Sequence, residues 1–433
     1  MIIIIGAGIS GLTIANNLDR EYLILEKENY CGGLSTQYLS EGGYRFDFGG
    51  HYFHFQDKAE IKTYLDEFAV FKEFKRQSRV FALDRYIPFP LQYHLYYLPA
   101  PLRKTLLQGI LQRREIRTGN LEEYLLDSFG EALFDFFFKP FLGKYYNISL
   151  RDLAANMDKG SIPVPDKESA AAGAAGKKFV SAGYNPVFYY PRNSLRGFME
   201  SYAAGFSQNA SGRLRGRVHR TPGGKIKLNE EVIEIDLDKK KLRTKNSTYD
   251  YEYIINTMPL KNLLKIIEQP DRFPPYQNLQ NISTLVSNVV LKKRRKRLHW
   301  VYLPEEQFPF YRAGFYPLHV QNVPVSYLEK TVDARKPIDK DALFEEILFT
   351  LKKLKFIENK EEIVYFDPRS IPVSYVLFDK QWRDTVPAAL KTLEENGVYS
   401  TGRFATWNYS SMSDDVKAAI NLAKSFASGG PAG

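Results

Sequence analysis

Cysteine is nearly missing from this chain: Cys31 stands alone among 433 residues. That excludes an internal disulfide and a cluster of cysteine metal ligands, so no metal site is expected, and it suits a reducing compartment such as the cytoplasm. Long apolar runs are missing too. No stretch is expected to span a bilayer, and the first residues read as a core strand rather than a signal peptide. The sequon Asn408-Tyr409-Ser410 is therefore expected to carry no glycan. Acid falls short of base, with 50 Asp and Glu against 60 Lys and Arg and a net charge of +10. Such a surplus suits an anionic partner. The main basic run, Lys292 to Arg297, lies between strand-like Val286-Ser287-Asn288-Val289-Val290 and Trp300-Val301-Tyr302. It reads as a solvated hairpin loop, so no nucleic acid is expected as partner. The closing stretch, residues 428–433, reads as a flexible tail.

What is present is concentrated at the start. Ile2 to Ile5 run into Gly6-Ala7-Gly8-Ile9-Ser10-Gly11, and Tyr22-Leu23-Ile24-Leu25 ends on Glu26. The order is strand, glycine turn, helix, strand, acid, which is what a dinucleotide requires. Gly6 permits the tight turn, Gly8 admits a pyrophosphate to the backbone, and Gly11 allows close packing of helix on strand. The phosphates sit at the positive end of the helix dipole, and Glu26 accepts from a ribose. Further on stand Gly32-Gly33-Leu34-Ser35 and Phe46-Asp47-Phe48-Gly49-Gly50-His51. Two glycine pairs after the fingerprint favour FAD over NAD, since flat backbone lies against the cofactor and a flavin ring meets no Cβ.

The expected architecture is α/β: a discontinuous Rossmann-like FAD-binding domain, a helical domain and an antiparallel-sheet substrate domain. Residues 1–85, 185–270 and 377–428 are assigned to the first, 86–184 to the second, with a mobile loop, and 271–376 to the third. Lys104 to Gln112 and Leu121 to Phe138 carry helical periodicity, with Phe134, Phe136, Phe137 and Phe138 as bundle core. Ser169-Ala170-Ala171-Ala172-Gly173-Ala174-Ala175-Gly176-Lys177-Lys178 reads as a mobile small-residue stretch, either a linker or a lid. Tyr251 to Leu260 and Val398-Tyr399-Ser400 read as strands of the nucleotide-binding sheet, and Ala342 to Leu354 as a helix among antiparallel strands.

With these segments in view, the whole chain resembles the flavin-dependent UDP-galactopyranose mutases, its eukaryotic-type members above all. The resembling stretches are residues 46–51, Tyr86-Ile87-Pro88-Phe89-Pro90-Leu91-Gln92, residues 184–191, Asn256-Thr257-Met258-Pro259, residues 299–313 and residues 402–409. The resemblance implies a pyranose/furanose mutase acting on a nucleotide-diphosphate sugar with no net redox change. Reduced flavin attacks the anomeric carbon through N5, holds the sugar as an adduct while its ring opens and recloses, and then releases it. Reduced FAD is thus the active cofactor, and a reductant such as a nicotinamide or a reductase is an implied partner. Chemistry of this kind rests on arginines for the diphosphate and on positioning in a dry pocket.

Carried over by residue, Arg312 matches the family's diphosphate arginine, whose planar fork suits that ligand. Tyr302, Tyr375 and Tyr409 match tyrosines that line the pocket and reach the diphosphate. His51 matches a redox-responsive histidine beside the flavin. Tyr146 stands where bacterial members carry a tryptophan near the base, and Gln92 joins it on the substrate side. Gly33, Leu34, Ser35, Val232, Gly402 and Arg403 fall with the cofactor contacts. Ser411 and Met412 open a helix whose amino end stabilises the reduced ring.

Departures cluster around sugar and diphosphate. Pro165 falls where bacterial members carry a second diphosphate arginine, leaving Lys159, Lys167 or Lys177 as point-charge substitutes. His319 replaces a pocket tyrosine and Ser413 a pocket asparagine. A different nucleotide sugar, such as a deoxysugar or a purine-linked donor, is the resulting expectation. The alternative is an oxidase or desaturase of the amine-oxidase superfamily, moving hydride from substrate to FAD on the same fold.

Overall fold

The computed structural model describes all residues except 114–118, 159–161, 178–185, 209–213, 218–223, 318–322 and 428–433. The chain divides into two compact units, one of residues 1–74, 187–279 and 381–433, the other of residues 75–186 and 280–380. The helical stretch and the antiparallel strands, read from the sequence as separate domains, share the second unit.

The first unit is built on a five-stranded sheet in the order Lys225–Lys227, Tyr22–Leu25, Ile2–Ile5, Tyr253–Asn256, Val398–Ser400. Every pairing in it is parallel. Its middle strands are near-continuous runs of branched apolar residues, all four of Ile2–Ile5 buried, as expected of a sheet covered on both faces. Helix Ile9–Asn17 follows the first strand and packs against helix Met412–Ala427, so the start and end of the described chain meet on one face. A short hairpin, Gln37–Leu39 with Arg45–Asp47, leads to the second glycine pair.

The second unit carries a seven-stranded sheet: Ile363–Val376, Asn281–Leu291, Val325–Val332, Arg312–Phe315, Trp300–Tyr302, Ser78–Ala82, Arg85–Pro88. All pairs are antiparallel except Trp300–Tyr302 with Ser78–Ala82. One face is covered by helix Lys340–Lys353, whose Leu343, Ile347 and Leu351 join Val289, Leu291, Phe308, Phe310 and Phe315 in a continuous core. Helix Leu121–Phe129 stops at Gly130, which has φ +77°. Beyond Gly130, Phe134, Phe137 and Phe138 are buried in the helical core and Phe136 is half-buried.

Two expectations are corrected. The small-residue stretch is not loose: Lys167–Ala174 is a helix capped by Asp166, whose carboxylate accepts from Ser169 N–H at 2.7 Å. Alanine has the best helix propensity, and Gly173 approaches so closely that a Cβ there would meet the Tyr93 carbonyl oxygen at 2.2 Å. Nor is Lys292 to Arg297 a hairpin loop, because the flanking strands, Asn281–Leu291 and Trp300–Tyr302, are separated by two others. No helix among the described residues is long and apolar enough to cross a membrane.

Candidate flavin cradle and anion site

The first unit makes its site from backbone. Gly6 has φ +100° and Gly32 φ +115°, conformations that side chains rarely adopt. A Cβ at Gly11 would lie 2.0 Å from the Gly6 carbonyl oxygen, so helix and turn touch through glycine alone. At Gly8 a Cβ would meet nothing within 4 Å, which leaves the turn open at the mouth of helix Ile9–Asn17. Gly32 N–H donates to the Ala7 carbonyl at 2.8 Å, and Gly33 lies against the Gly8 Cα. Gly33–Ser35 then form a short turn with Ser35 buried and Leu34 half-buried. The two glycine elements are thus one wall.

Glu26 closes the end of that wall. Its Oε2 accepts from Ala7 N–H at 2.7 Å and its Oε1 from Glu28 N–H at 2.9 Å. Burial raises its pKa against those two bonds. Each carboxylate oxygen has a second lone pair, which a ribose hydroxyl fits. Glu230 N–H donates to the Glu26 carbonyl at 2.8 Å, bringing buried Val232 close to this end.

A third segment comes from the far end of the sequence. Gly402 has φ +92°, and a Cβ there would lie 2.4 Å from Ser10 Oγ. The Arg403 guanidinium stacks 4.3 Å from the centre of the Tyr409 ring and donates to the Ser410 carbonyl at 3.2 Å. Ser411 and Asp414 cap helix Met412–Ala427 reciprocally: Asp414 Oδ2 accepts from Ser411 N–H at 3.0 Å, and Asp414 N–H donates to Ser411 Oγ at 3.3 Å. Thr401 Oγ1, Trp407 Nε1 and Ser413 Oγ are buried around the same segment with no hydrogen-bond partner among the described residues. Buried polar atoms are normally satisfied, so a ring with polar edges fits here.

The Phe46 to His51 segment adds Gly49 at φ +109° and half-buried Gly50 and His51, whose backbone N–H donates to the Gly49 carbonyl at 2.9 Å. Asp47, within it, went unnoticed as a site residue. It is 1% exposed and accepts from Gln37 Nε2 at 2.7 Å and from Tyr190 Oη at 2.9 Å. Burial pushes its carboxyl up to about 7 despite those bonds.

The second unit makes its site from side chains. Tyr302 and Arg312 face each other across neighbouring strands, and Arg312 faces Glu329 on the next. Arg312 Nε donates to Glu329 Oε2 at 2.5 Å. Burial opposes charge on Arg312 and is the largest single influence, but Glu329, Tyr375 and Tyr327 together outweigh it and hold the guanidinium protonated well beyond its usual range. The Tyr145 ring lies 5.0 Å from Tyr375 and 4.9 Å from Tyr311, centre to centre. Phe89 and Phe141 pack on Tyr302 at 4.7 and 5.2 Å, and Arg76 Nη2 donates to its hydroxyl at 3.4 Å. Tyr302, Tyr375 and Arg312 therefore share one constellation, whereas Tyr409 stands with Arg403 in the other unit.

Glu329, Tyr145 and Tyr311 belong to this constellation and were missed; only Glu329 left a trace, an acid in the apolar run Val325-Ser326-Tyr327-Leu328-Glu329. Tyr146, 7% exposed, follows Tyr145 on helix Lys139–Tyr146. Gln92 is buried and donates through Nε2 to the Pro163 carbonyl at 2.6 Å, with no partner for its Oε1 among the described residues. Lys159 and His319 lie outside the described residues. Lys167 and Lys177 are exposed. Among the described residues, no three His, Cys, Asp or Glu side chains are grouped to hold a metal ion.

Solved structures share this fold. The structure of reduced UDP-galactopyranose mutase matches with a TM-score of 0.85 at 21% identity, over 100% of this chain and 94% of that one. Cyclohexylamine oxidase from Brevibacterium oxydans IH-35A matches at 0.67 and 12% identity, over 99% and 98% of the two chains. A fatty acid isomerase from P. acnes that produces CLA matches at 0.63 and 12% identity, over 98% of each. At these identities the likeness establishes a shared fold, one that hosts both oxidases and isomerases. The sequence profile of the flavin-containing amine oxidoreductases matches residues 9–424. FAD is accordingly the cofactor, and the chain belongs to the flavin-containing amine oxidoreductase family.

Proposed function

We propose that this protein is a nucleotide-sugar mutase that interconverts pyranose and furanose forms with reduced FAD and no net redox change. The observation that carries this reading is the Arg312–Glu329 pair between tyrosines. A charged arginine whose Nε is fixed by a carboxylate presents its terminal amino groups as a planar fork, which suits a diphosphate and not an apolar amine. Tyr302 and Tyr375 supply hydroxyls beside it, and the packed rings of Phe89, Phe141 and Tyr145 keep those hydroxyls in place. When bound, reduced FAD supplies the nucleophile for the anomeric carbon. The chain holds the leaving diphosphate, orients the sugar and excludes water. The likeness to reduced UDP-galactopyranose mutase supports the same reading.

Pro165, Ser413 and the position of His319 motivate a donor other than UDP-galactose. Anaerobic incubation of dithionite-reduced protein with a panel of nucleotide sugars, followed by chromatography and borohydride quenching, tests both parts. A new isomeric peak, with sugar retained on the released cofactor, is expected. UDP-galactose turning over at least as fast as every other donor would remove the altered-donor part. Hydride transfer is the second reading, supported by family membership and by the likeness to cyclohexylamine oxidase. It prevails if reduced protein is inert while oxidised protein bleaches with an amine, alcohol or polyene.

A further inference from the structure

Residues 292–297 and 352–362 hold ten basic and three acidic side chains, a surplus of seven in a protein whose net charge is +10. These stretches are far apart in sequence and meet at one corner of the second unit. Arg295 joins them: its Nε and Nη2 donate to the Glu362 carboxylate at 3.1 and 2.7 Å, and its Nη1 meets Glu358 at 2.6 Å. Arg294 turns inward, donating to the Lys296 and Leu298 carbonyls at 2.9 and 2.6 Å. Two of the three acids are thus engaged in fixing Arg295.

Three of the other cations, Lys296, Lys352 and Lys355, line a cavity of about 520 Å³ together with Arg295, Ile357 and Glu358. Lys352 and Lys355 make no ion pair among the described residues. Gathering like charges costs stability unless a counter-charge arrives. Lys355 is costlier still. Helix Lys340–Lys353 ends in a Schellman turn, with Phe356 N–H donating to the Leu351 carbonyl at 2.9 Å and Lys355 N–H to the Lys352 carbonyl at 2.9 Å. The residue after the cap takes φ +53°, where glycine is at ease and lysine is not. A strained residue in an uncompensated cluster marks a side chain kept for its charge.

We propose that this cavity is a peripheral binding site for a soluble polyanion bearing clustered phosphate groups. Its single apolar wall is Ile357, and no aromatic ring lines it to stack a base, so recognition falls on phosphates. The site is independent of the mutase reading.

Inorganic tripolyphosphate is the probe, titrated by calorimetry and thermal shift into the FAD-loaded full chain. Wild type is expected to bind and to melt at higher temperature with ligand. K352A/K355G should weaken binding about tenfold for each lost charge-assisted contact. K355G alone should melt no lower than wild type without ligand, because glycine relieves the strained turn; this separates a lost site from a damaged fold. R312K should keep the peripheral binding, which excludes the diphosphate site as its source. No binding by wild type overturns the proposal. So does an equal loss in K104A/K391A, which removes two exposed lysines elsewhere. Binding to vesicles of anionic phospholipid without binding to tripolyphosphate also overturns it, in favour of a membrane surface.

Discussion

The two candidate sites are built by opposite means. The first is mainly backbone, its glycines packed where a Cβ at Gly6, Gly11 or Gly402 would strike the chain itself; the second is side chains held on a sheet. Backbone recognition depends on residues that nothing can replace, and it is encoded locally because one turn supplies most of it. Side-chain recognition depends on register between neighbouring strands of a sheet, and single substitutions can retune it. In sequence, Pro165 and His319 depart from the resembling family while the glycines hold.

The comparison breaks most sharply at Gly11. G11V places a side chain on the Gly6 carbonyl oxygen, with even the Cβ at 2.0 Å, and should cost about 3 kcal/mol. Purified protein should carry no flavin, read by absorbance; a yellow, wild-type-like protein would show that the turn tolerates what its geometry forbids. R312K should keep flavin and fold but lower kcat/KM about a hundredfold, since a point charge replaces a fork. Y302F removes one hydroxyl and should cost about tenfold, through KM or kcat according to whether ground state or transition state feels it.

The smallest effect is a pH slope in the first unit. Asp47 has a folded-state pKa raised from 3.8 to about 7 by burial, so the folded protein binds the extra proton. Its contribution to stability is complete below the unfolded value and disappears as pH rises through about 7. Thermal melts of D47N should lack this fall, whereas an unchanged pH profile would remove Asp47 as its source.

How far the sequence reveals this molecule follows the same division. Strand, glycines, helix and Glu26 lie within one stretch of chain, so periodicity and turn chemistry suffice. The sheet of the second unit is different. Ser78–Ala82 pairs in parallel with Trp300–Tyr302, and no local pattern announces a partner so remote. Glu329 becomes the partner of Arg312 only once their two strands are in register. The basic run looked like a hairpin because its flanking strands were taken as neighbours, and Lys167–Ala174 looked loose because glycine suggests freedom until packing removes it. Asp47 was hidden among residues chosen for their glycines, and its burial is a tertiary fact.

The contact between Gly402 and Ser10 carries a consequence in time. The two sides of that contact are 392 residues apart in sequence (402 − 10), so during synthesis the ribosome must deliver all of the chain between them before they can touch. Until then the early glycine turn is an open half. A nascent chain arrested before residue 402 would emerge colourless, and cofactor capture would be among the last events in its maturation.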